Sequence, residues 1–212
     1  MARRTKEEAE ETRAQIVDAA ERVFHERGVS RASLAEVAAA AGVSRGAIYW
    51  HFENKADLFH AMLERMRLPL EDLARASESE DEPDPLGRMR ELLVHLLQRV
   101  ELEPQSRRIN EILRHKCEYI DELGDLRQRL EATSAECDVR IARALGNAVR
   151  RGQLPADLDC HRAAVSVHAY VEGLQTNWLM VPGSYSLASE AVVLVEALLD
   201  MLRHSLALRL RA

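Results

Sequence analysis

Between Glu36 and Glu53 the chain carries no acid, and in that stretch stand Ser44, Arg45, Gly46, Tyr49, Trp50 and His51, with Lys55 just beyond. These are side chains that donate hydrogen bonds to anions or lie on flat rings. A guanidinium meets the guanine edge with two hydrogen bonds, hydroxyls and an ammonium suit phosphate oxygens, and a glycine admits close backbone approach. A carboxylate among them would repel phosphates, so the pattern points to a polyanion. A second candidate centre is Glu172 in AVSVHAYVEGLQTNWLMV, on a helical stripe with Val165, His168, Ala169, Gln175, Thr176 and Leu179. A carboxylate among apolar neighbours must be paired or neutralised. Two readings stay open: a structural ion pair with Arg114, His115 or Arg140, and a polar anchor in a small-molecule site with largely apolar walls.

Local signals place the first group on a helix pair. Ser33 with Glu36 three residues on is a capping box that starts a helix near Leu34, and Gly42 ends it. Ser44 caps a second short helix of roughly Arg45 to Trp50, so the two are joined by a short turn containing glycine, as helix-turn-helix motifs require. Asn54 then caps a third helix with Asp57. Lys55 in the first turn of that helix opposes its dipole, which suits a phosphate bound there. Upstream, Ile16, Ala20, Val23 and Phe24 form an apolar face that Gly28 closes. Three such helices make a unit of about 50 residues, too small to be stable alone, and the helix from Asn54 is expected to support it. Pro69 lies in the path of that connecting helix, expected from 55 to about 76, and either kinks or ends it.

At these residues the chain resembles a known family. GVSRGAIYWHFENKADL looks like the signature of TetR-family transcriptional regulators, and RTKEEAEETRAQIVDAAERVFHERG like their first helix. ARASESEDEPDPLG, RRINEILRHKCE, NAVRRGQLP and AYVEGL extend the likeness to the AcrR- and TtgR-like repressors of multidrug efflux pumps over nearly the whole chain. The resemblance implies an all-α fold of about nine helices: a DNA-binding helix-turn-helix unit over residues 1–55, then a ligand-binding and dimerisation domain over 77–212. With the side-chain chemistry, it implies Arg45 as base reader. It puts Ser33, Ser44, Tyr49, His51 and Lys55 on the DNA backbone and Gly46 in close approach, and leaves Trp50 between base contact and packing on the fourth helix. It also implies a site for hydrophobic or aromatic ligands in which Asn110 and Glu172 are polar contacts. Leu113, Leu96, Met89, Cys137, Ile141, His168 and Val171 would form the walls. Arg114 and Thr176 stand where the subgroup has a histidine and an arginine, which leaves the ligand range open. In the family the last two helices of two subunits form a four-helix interface, carried here onto residues 160–181 and 187–204. The expected function is a dimeric repressor on a palindromic operator, released by such ligands and controlling an efflux pump.

Composition agrees. Of 212 residues, 47% are hydrophobic and only 4% aromatic, with Ala, Leu, Glu and Arg abundant, which favours helices. The net charge of -6 excludes a polybasic coat, yet residues 1–55 hold nine cations and nine acids, so the remainder carries the whole excess. An acidic body leaves the neutral end to face the duplex. Arg3, Arg4 and Lys6 precede the first helix on a tail that either reaches the DNA or is merely solvated. SESEDEPDP, residues 77–85, reads as an exposed loop. Leu86, Met89, Leu93, Leu96 and Val100 form one further stripe, and a second runs through Ile109, Ile112, Leu113, Cys117 and Ile120. A long helix with Leu123, Leu126, Leu130, Cys137, Ile141 and Leu145 stops at Arg150, Arg151, Gly152 and Pro155. The helix from 187 is apolar on more than one face and calls for a second copy to cover it. No secretory or bilayer-spanning run is present, so a cytoplasmic chain with reduced thiols is expected. Cys117, Cys137 and Cys160 leave a redox- or metal-sensing regulator as the alternative. No phosphate loop or recognisable catalytic serine or histidine occurs, and neither an enzyme nor a cofactor is expected.

Overall fold

The computed structural model describes residues 6–117 and 125–211. The basic tail positions Arg3 and Arg4, and the expected stripe positions Ile120 and Leu123, lie outside the described residues, as does the side chain of Leu126. The described residues are all-α: α1 (Lys6–Arg27), α2 (Leu34–Ala40), α3 (Arg45–His51), α4 (Lys55–Arg67), α5 (Glu71–Glu78), α6 (Pro85–Leu102), α7 (Pro104–His115), α8 (Asp125–Arg150), α9 (Cys160–Met180) and α10 (Leu187–His204). Their only extended pairing is a lone bridge between Leu158 and Arg209.

The chain divides into two compact units. The first takes the chain up to Leu68 together with Arg108–Leu130, and the second takes Pro69–Arg107 together with Glu131 onward. This differs from the expected boundaries, because the stretch from Arg108 was read with the body. Its apolar stripe explains the difference. Ile109 and Ile112 are buried in the same core as Ile16, Phe24, Ile48, Phe52, Phe59 and Met62. Burying two more isoleucine side chains contributes about 1.5–3 kcal/mol each, so the small N-terminal bundle is supported by α7 as well as by α4.

Pro69 ends the connecting helix instead of bending it. Leu68–Leu70 form a single 3-10 turn, and α5 begins afresh at Glu71. A proline without an N–H closes the helical ladder there. The expected exposed loop 77–85 needs correction at both ends. Ser77 and Glu78 belong to α5, with Ser77 buried, and Pro85 opens α6 and is buried as well. The loop that follows is held to α8: Asn147 donates to the carbonyls of Ser77 (3.2 Å) and Ser79 (3.1 Å), and Arg151 to those of Glu80 (2.9 Å) and Glu82 (3.0 Å).

In the second unit, α6, α9, α10 and the C-terminal part of α8 share one core that includes Leu93, Leu97, Leu145, Ala148, Val167, Trp178, Val195 and Leu198. The stop signal after α8 is a Schellman motif. Gly152 takes φ 71, its N–H bonds the Val149 carbonyl (3.0 Å), and Gln153 N–H bonds that of Ala148 (2.9 Å). The tail after α10 returns to the start of α9, where Asp159 N–H donates to Leu208 O (2.9 Å) and Leu210 N–H to Asp157 O (2.8 Å).

Candidate functional site

Every cap expected around the short helix pair forms. Ser33 N–H donates to the Glu36 carboxylate (2.9 Å) while Glu36 N–H donates to Ser33 Oγ (3.2 Å). Hydrogen bonds from the Ser33 amide and hydroxyl, reinforced by the Arg27 guanidinium, hold the Glu36 carboxyl below the ordinary carboxylate range. The acid that precedes the reading helix in sequence is therefore engaged by a cation, Arg27. Gly42 (φ 68) makes the turn: its N–H bonds Ala39 O (3.2 Å) and Val43 N–H bonds Ala38 O (3.0 Å), a second Schellman motif. Only a residue at ease in the left-handed region closes α2 this tightly. Ser44 Oγ accepts from Ala47 N–H (3.1 Å), and Asn54 Oδ1 from Asp57 N–H (2.8 Å).

These caps leave α3 with one anchored face and one open face. Ile48 is fully buried, and Phe52 at its end packs under Arg13, whose guanidinium carbon lies 5.1 Å from the ring centre. On the other side Ser44, Arg45 and Gly46 are exposed, Tyr49 is 60% exposed and Trp50 72%. Packing of Trp50 against the fourth helix is thus not what the fold does. The indole instead meets His51 edge-on, with centroids 4.5 Å apart. Solvent-facing aromatic rings beside an exposed arginine are costly to leave bare and suited to a partner surface.

Lys55 has a role that its position in the first turn of α4 did not suggest. Its ammonium donates to the carbonyls of Ser30 (2.8 Å) and Ala32 (3.0 Å), closing the turn between α1 and α2. Ala32, Ser33, Leu34, Tyr49, Glu53, Asn54 and Lys55 together line a shallow groove between the starts of α2 and α4 and the middle of α3. Both helix starts there are capped from within, α2 by Ser33 and Glu36 and α4 by Asn54, and Glu53 adds a carboxylate to the groove.

The expected ligand residues fall in different units. Asn110, Leu113 and Arg114 belong to the first, where Asn110 is buried with its amide nitrogen 3.1 Å from Met66 Sδ. Met89, Leu96, Cys137, Ile141, His168, Glu172 and Thr176 belong to the second. There Met89 is buried in the core, and Leu96 and Ile141 pack at its edge. His168 is brought together with Glu172, whose carboxylate lies 3.8 Å from Nε2, and with Asp138, which lies 2.6 Å from Nδ1. Asp138 was not among the expected residues, since no local signal pairs α8 with α9. Glu172 departs from its expected burial. Its side chain is 50% exposed, because α9 turns Ala164, Val167, Val171, Gln175 and Trp178 into the core and leaves Glu172 on another face. Arg140, one expected partner, is engaged by Glu78 (2.6 Å) and Glu71 (3.1 Å).

The three cysteines are thiols that form no disulfide, and two of them have the chemistry of inert ones. Burial pushes Cys117 up to about 11, and burial with the neighbouring Asp159 carboxylate raises Cys160. A thiolate is the reactive form. Among the described residues no group of three or more metal-ligating side chains is assembled.

α9 and α10 expose apolar side chains: Val165, Val192, Val193 (64% exposed) and Met201. Among the described residues no helix is long and apolar enough to cross a membrane.

Comparison with known proteins matches both ends of the chain. Residues 16–62 fit the family described as bacterial regulatory proteins, tetR family, and residues 84–204 fit the C-terminal region of MAATS-type transcriptional repressors. The HTH-type transcriptional regulator TtgR of Pseudomonas putida is 55% identical over 209 residues, covering 99% of this chain and all of that one. Among solved structures, NalD, the secondary repressor of the MexAB-OprM multidrug efflux pump in Pseudomonas aeruginosa, superposes with a TM-score of 0.81 at 36% identity, covering 94% of this chain and 100% of that one. The complex of SmeT with triclosan gives a TM-score of 0.81 at 32% identity and covers 92% of each chain. SmeT is the repressor of the Stenotrophomonas maltophilia multidrug efflux pump SmeDEF.

Proposed function

The chain belongs to the TetR family of bacterial regulatory proteins, and from that premise we propose that it is a ligand-responsive repressor of a multidrug efflux pump. The observation that carries the DNA half of this reading is the open face of α3. Arg45, Tyr49 and Trp50 stand out from a helix whose other side is locked into the core by Ile48. Arg45 reads a base edge in the major groove. Ser33, Ser44, Tyr49 and His51 meet phosphates.

Two copies act together. The apolar residues left exposed on α9 and α10 would cover one another in a four-helix interface over residues 160–181 and 187–204. A twofold pair presents two reading helices to successive major grooves about 34–36 Å apart, and hence to a palindrome. A chain that works by occupying an operator acts in the cytoplasm, as a regulator rather than an enzyme.

The ligand half rests on the second unit and on the relatives. NalD and SmeT are repressors of efflux pumps, and SmeT was solved with triclosan. By analogy a hydrophobic or aromatic molecule would bind here, with Glu172, held near His168, and Thr176 as polar contacts and Leu96, Cys137 and Ile141 as apolar ones. Binding favours a conformer less suited to the operator, and it weakens DNA binding only as far as the ligand prefers that conformer. The raised Cys117 and Cys160 thiols run against the redox alternative.

The test is fluorescence anisotropy of a duplex selected by this protein from a random pool, titrated with triclosan and a set of neutral phenolic drugs. A palindrome released by one of them is the expected result. A palindrome indifferent to all of them and released by oxidant or metal would reverse the ligand assignment. Glu172→Gln should change the concentration of drug needed for release while leaving duplex affinity alone; an unchanged response to every drug removes Glu172 from the site.

A further inference from the structure

Ile48 is the residue of α3 turned most fully into the core, with no exposed surface. At about 3.6 residues per turn, Gly46 and Trp50, two positions to either side of it, each stand about 160° away around the helix axis. They therefore share the middle of the open face and, four residues apart, lie one above the other. Tyr49 stands about 100° from Ile48 and Arg45 about 60°, at the flanks of that face. Of the two exposed rings Trp50 is the more open, 72% against 60% for Tyr49. The reading face is centred on an indole with a glycine in the turn before it.

Nothing inside the fold asks for that glycine. Gly46 is helical, without the left-handed backbone of Gly42, and a methyl group in its place would approach only Ser44 Oγ, at 3.8 Å, an ordinary contact. Glycine also makes a helix less stable than alanine does, so what the missing side chain provides is space outside the helix. The indole beside that space is held: the half-buried ring of His51 meets it edge-on, with the ring planes at 87°. An exposed tryptophan beside an empty notch, in a stretch with no acid between Glu36 and Glu53, suits an apolar group carried by a polyanion. Among base edges in the major groove only thymine presents one, its 5-methyl group.

We propose that Gly46 and Trp50 form a notch that takes the 5-methyl group of a thymine in each half-site, which makes Trp50 a second specificity-determining residue beside Arg45. This rests on the repressor reading above. The two contacts differ in kind. The guanidinium reads hydrogen-bond acceptors, whereas the notch reads a shape that uracil lacks. The competing role for the indole is a contact to sugar or phosphate, which would carry no base preference.

The experiment uses the full chain and the duplex it selects from a random pool, with each thymine replaced in turn, in both halves, by deoxyuridine. That exchange removes the methyl group and keeps the base pairing. At one position it should weaken binding about fourfold per half-site, and about 15-fold for the two together, the effect of one buried methyl group in each. Trp50→Ala should bind the thymine and uracil duplexes alike at that position and keep its preferences elsewhere. Gly46→Ala, which fills the notch, should bind the thymine duplex about tenfold more weakly or worse. Both variants should melt no lower than the unmodified chain, since neither side chain belongs to the core. Equal binding of every uracil duplex, uracil sensitivity kept in Trp50→Ala, or undiminished binding by Gly46→Ala would each overturn the proposal. So would a loss of affinity in Trp50→Ala that is the same for every sequence, the mark of a backbone contact. Failure to select any duplex would sink the repressor reading itself, which none of those four results does.

Discussion

Arg45→Ala separates recognition from folding more cleanly than any other change at the reading helix. The residue is the first of α3 and exposed, and among the described residues its guanidinium joins no hydrogen bond or ion pair. Removing it leaves no buried group unpaired, and alanine is at least as good a helix former, so the melting temperature should hold to within the effect of about 0.5 kcal/mol. A bidentate arginine–guanine pair discriminates by about 1–3 kcal/mol. Two subunits on two half-sites double this where the sites are independent, giving about 2–6 kcal/mol, or at least ~30-fold in operator affinity. Anisotropy titrations would be run on the selected duplex and on duplexes changed one base pair at a time in both halves. The variant should lose most of its preference at one position of each half-site and bind unrelated duplex nearly as before. Undiminished affinity together with undiminished preference at every position would refute Arg45 as the base reader.

Lys55→Met should act differently, because the ammonium serves the carbonyls of Ser30 and Ala32. Losing it costs about 1–3 kcal/mol for each carbonyl left buried and unpaired, so thermal melting should fall, and binding should weaken for all duplexes alike. An unchanged melting curve would show that the clamp holds nothing. Val193→Asp places a charge on the exposed apolar face of α10. Sedimentation should then show single chains at micromolar concentration with operator binding lost, whereas an intact pair would move the interface elsewhere. Cys117, pushed up to about 11 from the free-thiol value of 9.0, is protonated at neutral pH in both folded and unfolded chains. The unfolded thiol ionises as pH passes 9 and the folded one only near 11, so stability present below pH 9 declines between pH 9 and 11. Cys117→Ala should flatten that part of the pH–stability curve, and alkylation of the folded protein by iodoacetamide at about pH 7.5 should be slow; rapid alkylation would contradict the burial.

What was legible in the sequence is what the chain decides over a few residues. Ser33 with Glu36, Ser44 with Ala47, Asn54 with Asp57, and the glycines at 42 and 152 each act within five positions of themselves. A side chain that answers a backbone donor three residues on needs no tertiary partner, so the helix pair and its turn could be read directly. Lys55 shows the limit. Its first-turn position suggested a phosphate, but its carbonyls are 23 and 25 residues away, and nothing in the local spacing names them.

Glu172 shows why a helical stripe is weaker evidence of burial than it looks. α9 carries two apolar stripes, one through Ala164, Val167, Val171 and Trp178 and one through Val165, Ala169 and Leu179, and periodicity weighs both alike. The core takes the first, and of the second only Leu179 at its C-terminal end, so Glu172, Val165 and Ala169 remain on the exposed side. The consequence is energetic. A carboxylate half in water is not compelled to find a cation, which removes the desolvation argument for a structural ion pair. Its position near His168, itself held by Asp138, follows from their four-residue spacing on one helix, and the exposed half of the carboxylate is the part that a polar group of a ligand would meet.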